Sequence, residues 1–337
     1  MKTFKSTALL LLIIAILTGC GEKKPKPVSN SPTEVPAKTT VNLVVPDFNA
    51  DSAFTYVAKQ VSFGPRIPGT AAQEKCAQWL YTQLKSYSSN VVLQDVKVEL
   101  YNGKKVPCKN LIASFNPEMQ KRILLCAHWD TRPWSDQDSL DKKSAFDGAD
   151  DGGSGVGILL EIARLLSTQK TNVGIDIALF DVEDYGPPYW DPLADQEKPT
   201  AYCIGTQHWA NNPHVSNYRA YFGILLDMTG AKNATFPQEG LSLKFAPSVV
   251  KNVWDTANDL GYGNYFVYSK TNSITDDHAF VNSINGTPCI DIINMNSTGF
   301  AKHWHTQQDN MSIIDKATLK AVGQTLLQVI FKEAPGA

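Results

Sequence analysis

The sequence lacks both a large charge excess and an apolar run of membrane-spanning length. Of its 337 residues, 31 are Lys or Arg and 33 are Asp or Glu, which gives a net charge of −2. Nucleic-acid binding needs a basic surface, so this balance argues against a nucleic-acid partner. The longest apolar run, residues 8–17, is shorter than the roughly 20 residues of a spanning helix.

Cysteine motifs and internal repeats are also missing. The chain has six cysteines, and their spacing fits neither a CxxC redox pair nor a zinc ribbon. No repeat and no second linker interrupts residues 50–337, so the length predicts one large catalytic domain there. The pattern identifies no disulfide pair. It does not fix the oligomeric state either, and we expect a monomer.

The N-terminus has the features of an export signal. Lys2 and Lys5 precede the apolar run, which ends in LTGC at Cys20 and resembles a bacterial lipoprotein box. We therefore expect residues 1–20 to be a lipoprotein signal peptide, with lipid attached to Cys20; an ordinary secretory signal is the alternative. Residues 21–49, rich in Lys, Pro, Ser and Thr, are predicted to be a flexible tether. The expected location is the cell envelope, lipid-anchored to a membrane and facing the periplasm or exposed at the surface.

Strand-like and helix-like patterns alternate along the rest of the chain. Four continuous apolar runs are typical of buried strands, namely RILLCAH, IDIALFD, YFGILLD and PCIDII. Two further segments, VVLQDVKVEL and NLIASF, are predicted to be neighbouring strands. Asp51 and Thr70 are predicted to cap the first two helices. The alternation predicts an α/β fold, a three-layer α/β/α sandwich with a central mixed, mostly parallel sheet.

Acidic residues and histidines follow apolar stretches in a fixed order. They are His128, Asp151, Asp184, Asp227 and His305. Carboxylates and imidazoles are the usual ligands of catalytic Zn²⁺, which keeps one coordination position open. In open α/β sheets, ligands bind beyond the carboxyl ends of the strands, where several of these residues fall. The set therefore predicts a zinc enzyme.

Neighbouring residues complete the predicted site. Asp130, two residues after His128, is expected to orient that histidine rather than to bind metal. Glu183 and Asp184 are adjacent, so one can face the metal while the other acts as a general base. Trp304, beside the last histidine, is expected to form a wall of the substrate pocket.

Several motifs in this order resemble those of the zinc-dependent glutaminyl cyclases, the glutaminyl-peptide cyclotransferases. They are AHWDT, GADD, DVED, LLDMTGAKNATF, DDHAF and WHT, and they span nearly all of the chain after residue 50. The leader resembles that of bacterial members of the animal-type branch. The resemblance implies a zinc aminopeptidase-like fold. It also implies an acyltransferase that converts the N-terminal glutamine of peptides or proteins into pyroglutamate and releases ammonia.

The resemblance further implies a metal centre and a proton shuttle. One zinc ion per chain would be held by Asp151, Asp184 and His305. Zinc would polarise the γ-amide of the glutamine. Glu183 would take a proton from the α-amine and return one to the leaving ammonia.

Other residues of the matching motifs would contact the substrate. Asp227 and Asp276 would form a hydrogen-bond network around the reacting amide. Trp304 and Trp190 would line the pocket for the glutamine side chain. The segment around Trp190 has no clean register against the family, so Tyr189 could take that role instead.

Two other functions fit parts of the pattern. An aminopeptidase of the same fold would bind two zinc ions, with Asp151 bridging and His128 and Asp227 completing the second site. Asp184 stands where two-zinc enzymes usually have Glu, and DDHAF and GAKNATF also favour the cyclase. A non-enzymatic binding lipoprotein would be expected to lose a ligand or the base, and none is missing. A second metal at His128 and Asp227 is left open, as are the physiological substrates and the membrane leaflet.

Overall fold

The computed structural model describes residues 44–194 and 199–335. The predicted signal peptide, Cys20 and the predicted tether as far as residue 43 lie outside the described residues. Within the described ranges, every helix is too short or too polar to cross a membrane.

Helices and strands alternate as the sequence pattern predicts. The α-helices are α1 (Ala50–Val61), α2 (Ala71–Tyr87), α3 (Gly153–Leu166), α4 (Ile204–Asn211), α5 (Gly240–Phe245), α6 (Pro247–Asp259), α7 (Asp277–Phe280) and α8 (Lys316–Lys332). The β-strands are β1 (Asn90–Glu99), β2 (Lys105–Phe115), β3 (Arg122–His128), β4 (Gly174–Phe180), β5 (Phe222–Asp227), β6 (Phe236–Gln238), β7 (Phe266–Lys270), β8 (Cys289–Ile293), β9 (Met295–Asn296) and β10 (Gly299–Phe300). Each of the predicted strands is present.

A six-stranded sheet in the order β1-β2-β4-β3-β5-β8 forms the centre. Strands β4, β3, β5 and β8 pair in parallel, whereas β2 pairs antiparallel with both β1 and β4. Alternate side chains of β3 enter two apolar clusters: Leu125 and Ala127 pack with α1, α2, α3 and α8, and Leu124 and Cys126 pack with Trp209 of α4. These contacts confirm the three-layer sandwich and the mixed, mostly parallel sheet.

The first two helices begin at polar caps. Thr70 accepts a hydrogen bond from the Gln73 N–H and caps α2, as predicted. The prediction of Asp51 as the cap of α1 was wrong, because the Asn49 side chain accepts from the Ser52 N–H and takes that position. Asp51 lies in the first turn instead, where a carboxylate interacts favourably with the positive end of the helix dipole.

Phe48, at the end of the predicted tether, packs into the folded domain. Its ring is 1% exposed and fills the space beside Gly323 of α8, where a Cβ would overlap the ring. The Phe48 N–H also donates to Gln324 Oε1 at 2.9 Å. The backbone just before α1 is therefore held against the last helix.

We expect Phe48→Ala to lower the free energy of unfolding by about 3–5 kcal/mol, since it opens a cavity against α8. Urea unfolding followed by tryptophan fluorescence measures this. Val44→Ala, which truncates an exposed side chain of the same segment, is the control. An equal and small effect of both changes would mean that Phe48 contributes little to the core.

The five cysteines after Cys20 are buried free thiols, so the described residues contain no disulfide. They are Cys76, Cys108, Cys126, Cys203 and Cys289.

Candidate active site

The carboxyl ends of three neighbouring strands bring the predicted site residues together. His128 ends β3, Asp184 follows β4, and Asp227 ends β5. Asp151 lies just before α3, and His305 lies in the long loop before α8. All of them are buried at one edge of the sheet, as expected for strands that run parallel.

Asp151, Asp184 and His305 form a first cluster that could hold a metal ion. Their ligand atoms all lie within 4.8 Å of one another. His305 Nε2 is 3.2 Å from Asp184 Oδ2 and 3.6 Å from Asp151 Oδ2. Asp184 Oδ2 is buried and, within the described chain, accepts no hydrogen bond of good geometry. Burying such an oxygen is costly unless an ion binds it, so this donor set fits zinc.

His128, Asp151 and Asp227 form a second cluster that shares Asp151 with the first. His128 Nε2 is 3.1 Å from Asp151 Oδ1 and 3.3 Å from Asp227 Oδ1. Burial lowers the pKa of His128, but hydrogen bonds to Asp130, Asp151 and Asp227 outweigh it and raise the pKa well above its ordinary value. The three carboxylates thus favour the protonated form of the imidazole.

Asp130 holds the backbone of the acid pair. Its carboxylate accepts from the Glu183 N–H at 3.0 Å and from the Asp184 N–H at 3.3 Å. Its Oδ1 also lies 3.6 Å from His128 Nδ1, as a residue that orients the ring would. The residue before the pair, Val182, has a φ of 55°, which is unfavourable for a β-branched side chain. The two hydrogen bonds of Asp130 help to hold this strained turn.

Glu183 and Asp184 point to different parts of the site. Asp184 belongs to the first cluster, whereas the Glu183 carboxylate lies with Cys203 and Asp276. Burial raises the pKa of Glu183 well above its ordinary value, and the charge of Asp184 adds to this effect. The two adjacent carboxylates therefore lie in different parts of the site, and their division between metal and substrate stays a prediction.

Asp227 and Asp276 are buried acids whose side chains line the same pocket as Glu183. Burial raises the pKa of Asp227 to about 6 and that of Asp276 to about 7. In Asp276, Oδ1 caps α7 through the Asp277 N–H, while the buried Oδ2 has no hydrogen-bond partner among the described residues. A polar group of a substrate could satisfy this oxygen.

Arg132 and Asp136, which the sequence pattern does not single out, support two of the predicted metal ligands, Asp184 and His305. Asp136 Oδ1 lies 3.1 Å from His305 Nδ1. Arg132 donates to both oxygens of Asp136, at 3.0 and 2.7 Å, and to Asp184 Oδ1 at 3.3 Å. Both residues are buried. One guanidinium therefore fixes Asp184 directly and His305 through Asp136, as is typical of residues behind a metal ligand.

We expect Asp136→Ala to weaken zinc binding by about 10–100-fold, because the imidazole of His305 loses the carboxylate that orients it. Competition with a chromogenic chelator measures this affinity. Asp141→Ala, an exposed acid of the same loop, is the matched control and should bind zinc like the wild type. An unchanged zinc affinity in Asp136→Ala would show that His305 binds zinc without the hydrogen bond between its Nδ1 and Asp136.

A pocket of about 680 Å³ opens over both clusters. Trp304 forms part of its wall, and its ring stacks on His305 with centroids 3.8 Å apart. Besides the acids, apolar and aromatic side chains line the pocket, among them Tyr189, Ile274, Ile293, Phe300 and Trp304. The pocket can therefore enclose an aliphatic chain that ends in a polar group.

Tyr189, rather than Trp190, lies on the pocket wall. Among the described residues that line the pocket, Tyr189 is present and Trp190 is not. The Trp190 ring is 38% exposed and packs edge-on against Trp134 and Tyr189, with centroids 6.3 and 5.0 Å away. The structure thus favours the second of the two sequence-based assignments.

Comparison with known proteins agrees with this arrangement. The model of peptidase family M28 matches residues 110–330. The solved structure of a Zn-dependent exopeptidase from Parabacteroides distasonis is 52% identical, with a TM-score of 0.83, and the match covers 86% of this chain and 100% of that one. A glutaminyl cyclase from Bacteroides thetaiotaomicron, solved with N-acetylhistamine bound, is 48% identical, with a TM-score of 0.84 and the same coverage of 86% and 100%.

Similarity to a curated animal protein is weaker. A glutaminyl-peptide cyclotransferase of Gloydius blomhoffii is 26% identical in an alignment of 251 positions, and the match covers 66% of this chain. The chain spans 65% of the length of that relative.

Proposed function

Because this chain belongs to peptidase family M28 and, within it, to the group of the bacterial glutaminyl cyclases, we propose that it is a glutaminyl-peptide cyclotransferase. Its substrates are peptides or proteins with an N-terminal glutamine. The product is an N-terminal pyroglutamate, and ammonia leaves. The observation that carries the proposal is the pocket itself, which the half-buried acid Glu183 lines together with a cluster that could bind a metal ion and the aromatic rings of Tyr189 and Trp304.

Zinc is the cofactor that the family and the donor set support, and we propose one ion per chain. Asp151, Asp184 and His305 would hold it, and three protein ligands leave one position open for substrate. When bound, zinc supplies a Lewis acid that polarises the γ-carbonyl of the glutamine.

Glu183 moves the proton in the proposed reaction. The substrate α-amine attacks the γ-carbonyl carbon, a C–N bond forms, and the bond to the amide nitrogen breaks. The Glu183 carboxylate takes a proton from the α-amine and gives one to the departing nitrogen, which leaves as ammonia. The enzyme thereby acts as an acyltransferase, because the γ-glutamyl group passes from one nitrogen to the other.

The pocket walls bend the substrate for this attack. Asp227 and Asp276 line the pocket and would accept hydrogen bonds from the reacting amide. Trp304 and Tyr189 would enclose the aliphatic part of the glutamine side chain. Holding both reacting groups of one residue in contact makes the step unimolecular, and much of the rate enhancement would come from this positioning. The ring closes internally, so the reaction needs no water molecule as nucleophile.

A two-zinc aminopeptidase is the second candidate, and one observation favours it. The cluster of His128, Asp151 and Asp227 keeps the donors that a second metal would need. In that enzyme Glu183 would activate a water molecule instead of the α-amine.

Mass spectrometry of a Gln-initiated peptide separates the two functions. We expect incubation with the purified protein to remove one ammonia from the peptide, and a zinc chelator to abolish this change. The same peptide with an acetylated N-terminus is the control, since it has no free α-amine. Loss of the whole glutamine residue would instead identify an aminopeptidase and place His128 and Asp227 among the metal ligands.

We also propose that the enzyme is a monomeric lipoprotein of the cell envelope, anchored through lipid at Cys20 and facing the periplasm or the cell surface. The LTGC sequence at the end of the apolar run supports this location. Labelling of the full chain with a radioactive fatty acid tests it. Cys20→Ser should remove the label, and a labelled Cys20→Ser protein would contradict the attachment site.

A further inference from the structure

The Cys203 thiol lies against the Glu183 carboxylate. Its Sγ is 3.2 Å from Glu183 Oε1 and donates a hydrogen bond to it. Cys203 is fully buried, directly before α4, and is not one of the described residues that line the pocket. It therefore contacts the proposed proton shuttle without contacting the substrate.

Cys203 also holds the backbone of the same residue. The Cys203 N–H donates to the Glu183 carbonyl at 2.8 Å, and the Ile204 N–H donates to the Val182 carbonyl at 2.9 Å. These two bonds fix the strained turn at Val182 from the side opposite Asp130. The Cys203 thiol adds a third hydrogen bond, to the side chain of Glu183.

The backbone at this position does not itself require a cysteine. Cys203 has a φ of 55°, in the left-handed region that favours glycine or asparagine. A cysteine here is explained by its side chain. Burial raises the pKa of the Cys203 thiol well above its ordinary value, and Glu183 adds to this, so the thiol stays protonated and can donate.

The two carboxylate oxygens of Glu183 have different surroundings. Oε1 accepts from the thiol, and Oε2 faces His128 Nδ1 at 4.0 Å. The thiol donates a single hydrogen bond to one of the two oxygens, which fixes the direction of the carboxylate.

We propose that Cys203 is a positioning residue for Glu183, whose thiol holds one carboxylate oxygen so that the other is free to exchange the proton. This inference rests on the role proposed above for Glu183. It predicts that the side chain at 203 affects turnover rather than substrate binding or zinc content.

Three variants test the proposal in the peptide assay. We expect Cys203→Ala to lower kcat at least about tenfold, with KM and zinc content unchanged, since a displaced catalytic group loses turnover. Cys203→Ser keeps a donor and should restore kcat to within about twofold of the wild type. Cys76→Ala removes another buried thiol, in α2, and should leave kcat unchanged.

Equal losses in Cys203→Ala and Cys203→Ser, or a loss that appears in KM or zinc content, would overturn the proposal and leave Cys203 with a packing role. In the double variant with Glu183→Gln, Cys203→Ala should cause no further loss, because the thiol acts through Glu183; an additive loss would also overturn it. Failure of the proposed cyclase function can be told apart from failure of the Cys203 proposal, because the wild type would then release glutamine instead of ammonia. The ratios of kcat between variants can be measured for either product.

Discussion

Glu183→Gln is expected to retain zinc and to lose about 10²–10⁴-fold of kcat, which is the usual contribution of a general acid–base group. Glutamine has nearly the same shape as glutamate, but its amide cannot take a proton from the α-amine and return it to ammonia. The pocket and the metal ligands stay intact, so KM should change little. Mass spectrometry of the peptide in samples quenched at successive times gives kcat, and elemental analysis gives the zinc content.

The control for this variant is Glu99→Gln, which changes an exposed acid of β1 far from the pocket. It should behave like the wild type in both measurements. Normal turnover by Glu183→Gln would exclude Glu183 as the proton shuttle. A loss of zinc would mean instead that Glu183 belongs to the metal site.

His305→Ala is expected to lose both zinc and activity. The change removes the only imidazole of the first cluster and leaves Asp151 and Asp184 as its two remaining donors. Removal of a residue that hydrogen-bonds to a metal ligand typically lowers metal affinity by about 10–100-fold. Removal of the ligand His305 itself should therefore lower the zinc affinity by more than about 100-fold. The zinc affinity and the zinc-to-protein ratio are the measurements.

His128→Ala is the informative comparison, because it changes the imidazole of the second cluster. If one zinc ion is bound, this variant keeps a full equivalent of zinc while His305→Ala does not. If two are bound, it loses one of two equivalents. His208→Ala, in α4 and outside both clusters, should change nothing. Stoichiometric zinc in His305→Ala would refute the ligand assignment.

The main features of the site could be predicted because several of its residues follow apolar segments. His128 and Asp227 are the last residues of their strands, and the parallel sheet necessarily brings such ends together. The support behind the ligands could not be predicted in the same way. Arg132 and Asp136 lie in an irregular loop, where an Arg–Asp pair four residues apart usually marks an exposed ion pair rather than a buried one.

Asp309 shows the same limit over a longer distance. Its buried carboxylate accepts from the N–H groups of both Asp150 and Asp151, at 2.7 and 3.0 Å, and so fixes the loop that carries Asp151, a proposed zinc ligand. Its partners are more than 150 residues away in the chain. Only the folded topology brings them together.

The assignment of Tyr189 or Trp190 to the pocket could not be decided from the sequence for a local reason. The two residues lie in a turn without periodicity, and such a turn gives no signal for which side chain faces the pocket.

The buried thiols have a consequence for the lifetime of the native protein. Cys76, Cys108, Cys126, Cys203 and Cys289 are unreactive while the fold is intact, because oxidants reach thiols only at exposed positions. Any unfolding in an oxidising medium exposes five thiols at once, and mismatched disulfides can then trap the chain before it refolds. Resistance to inactivation is thus governed by the rate of unfolding rather than by the equilibrium free energy. Heat inactivation should be reversible in the presence of a reductant and irreversible without it.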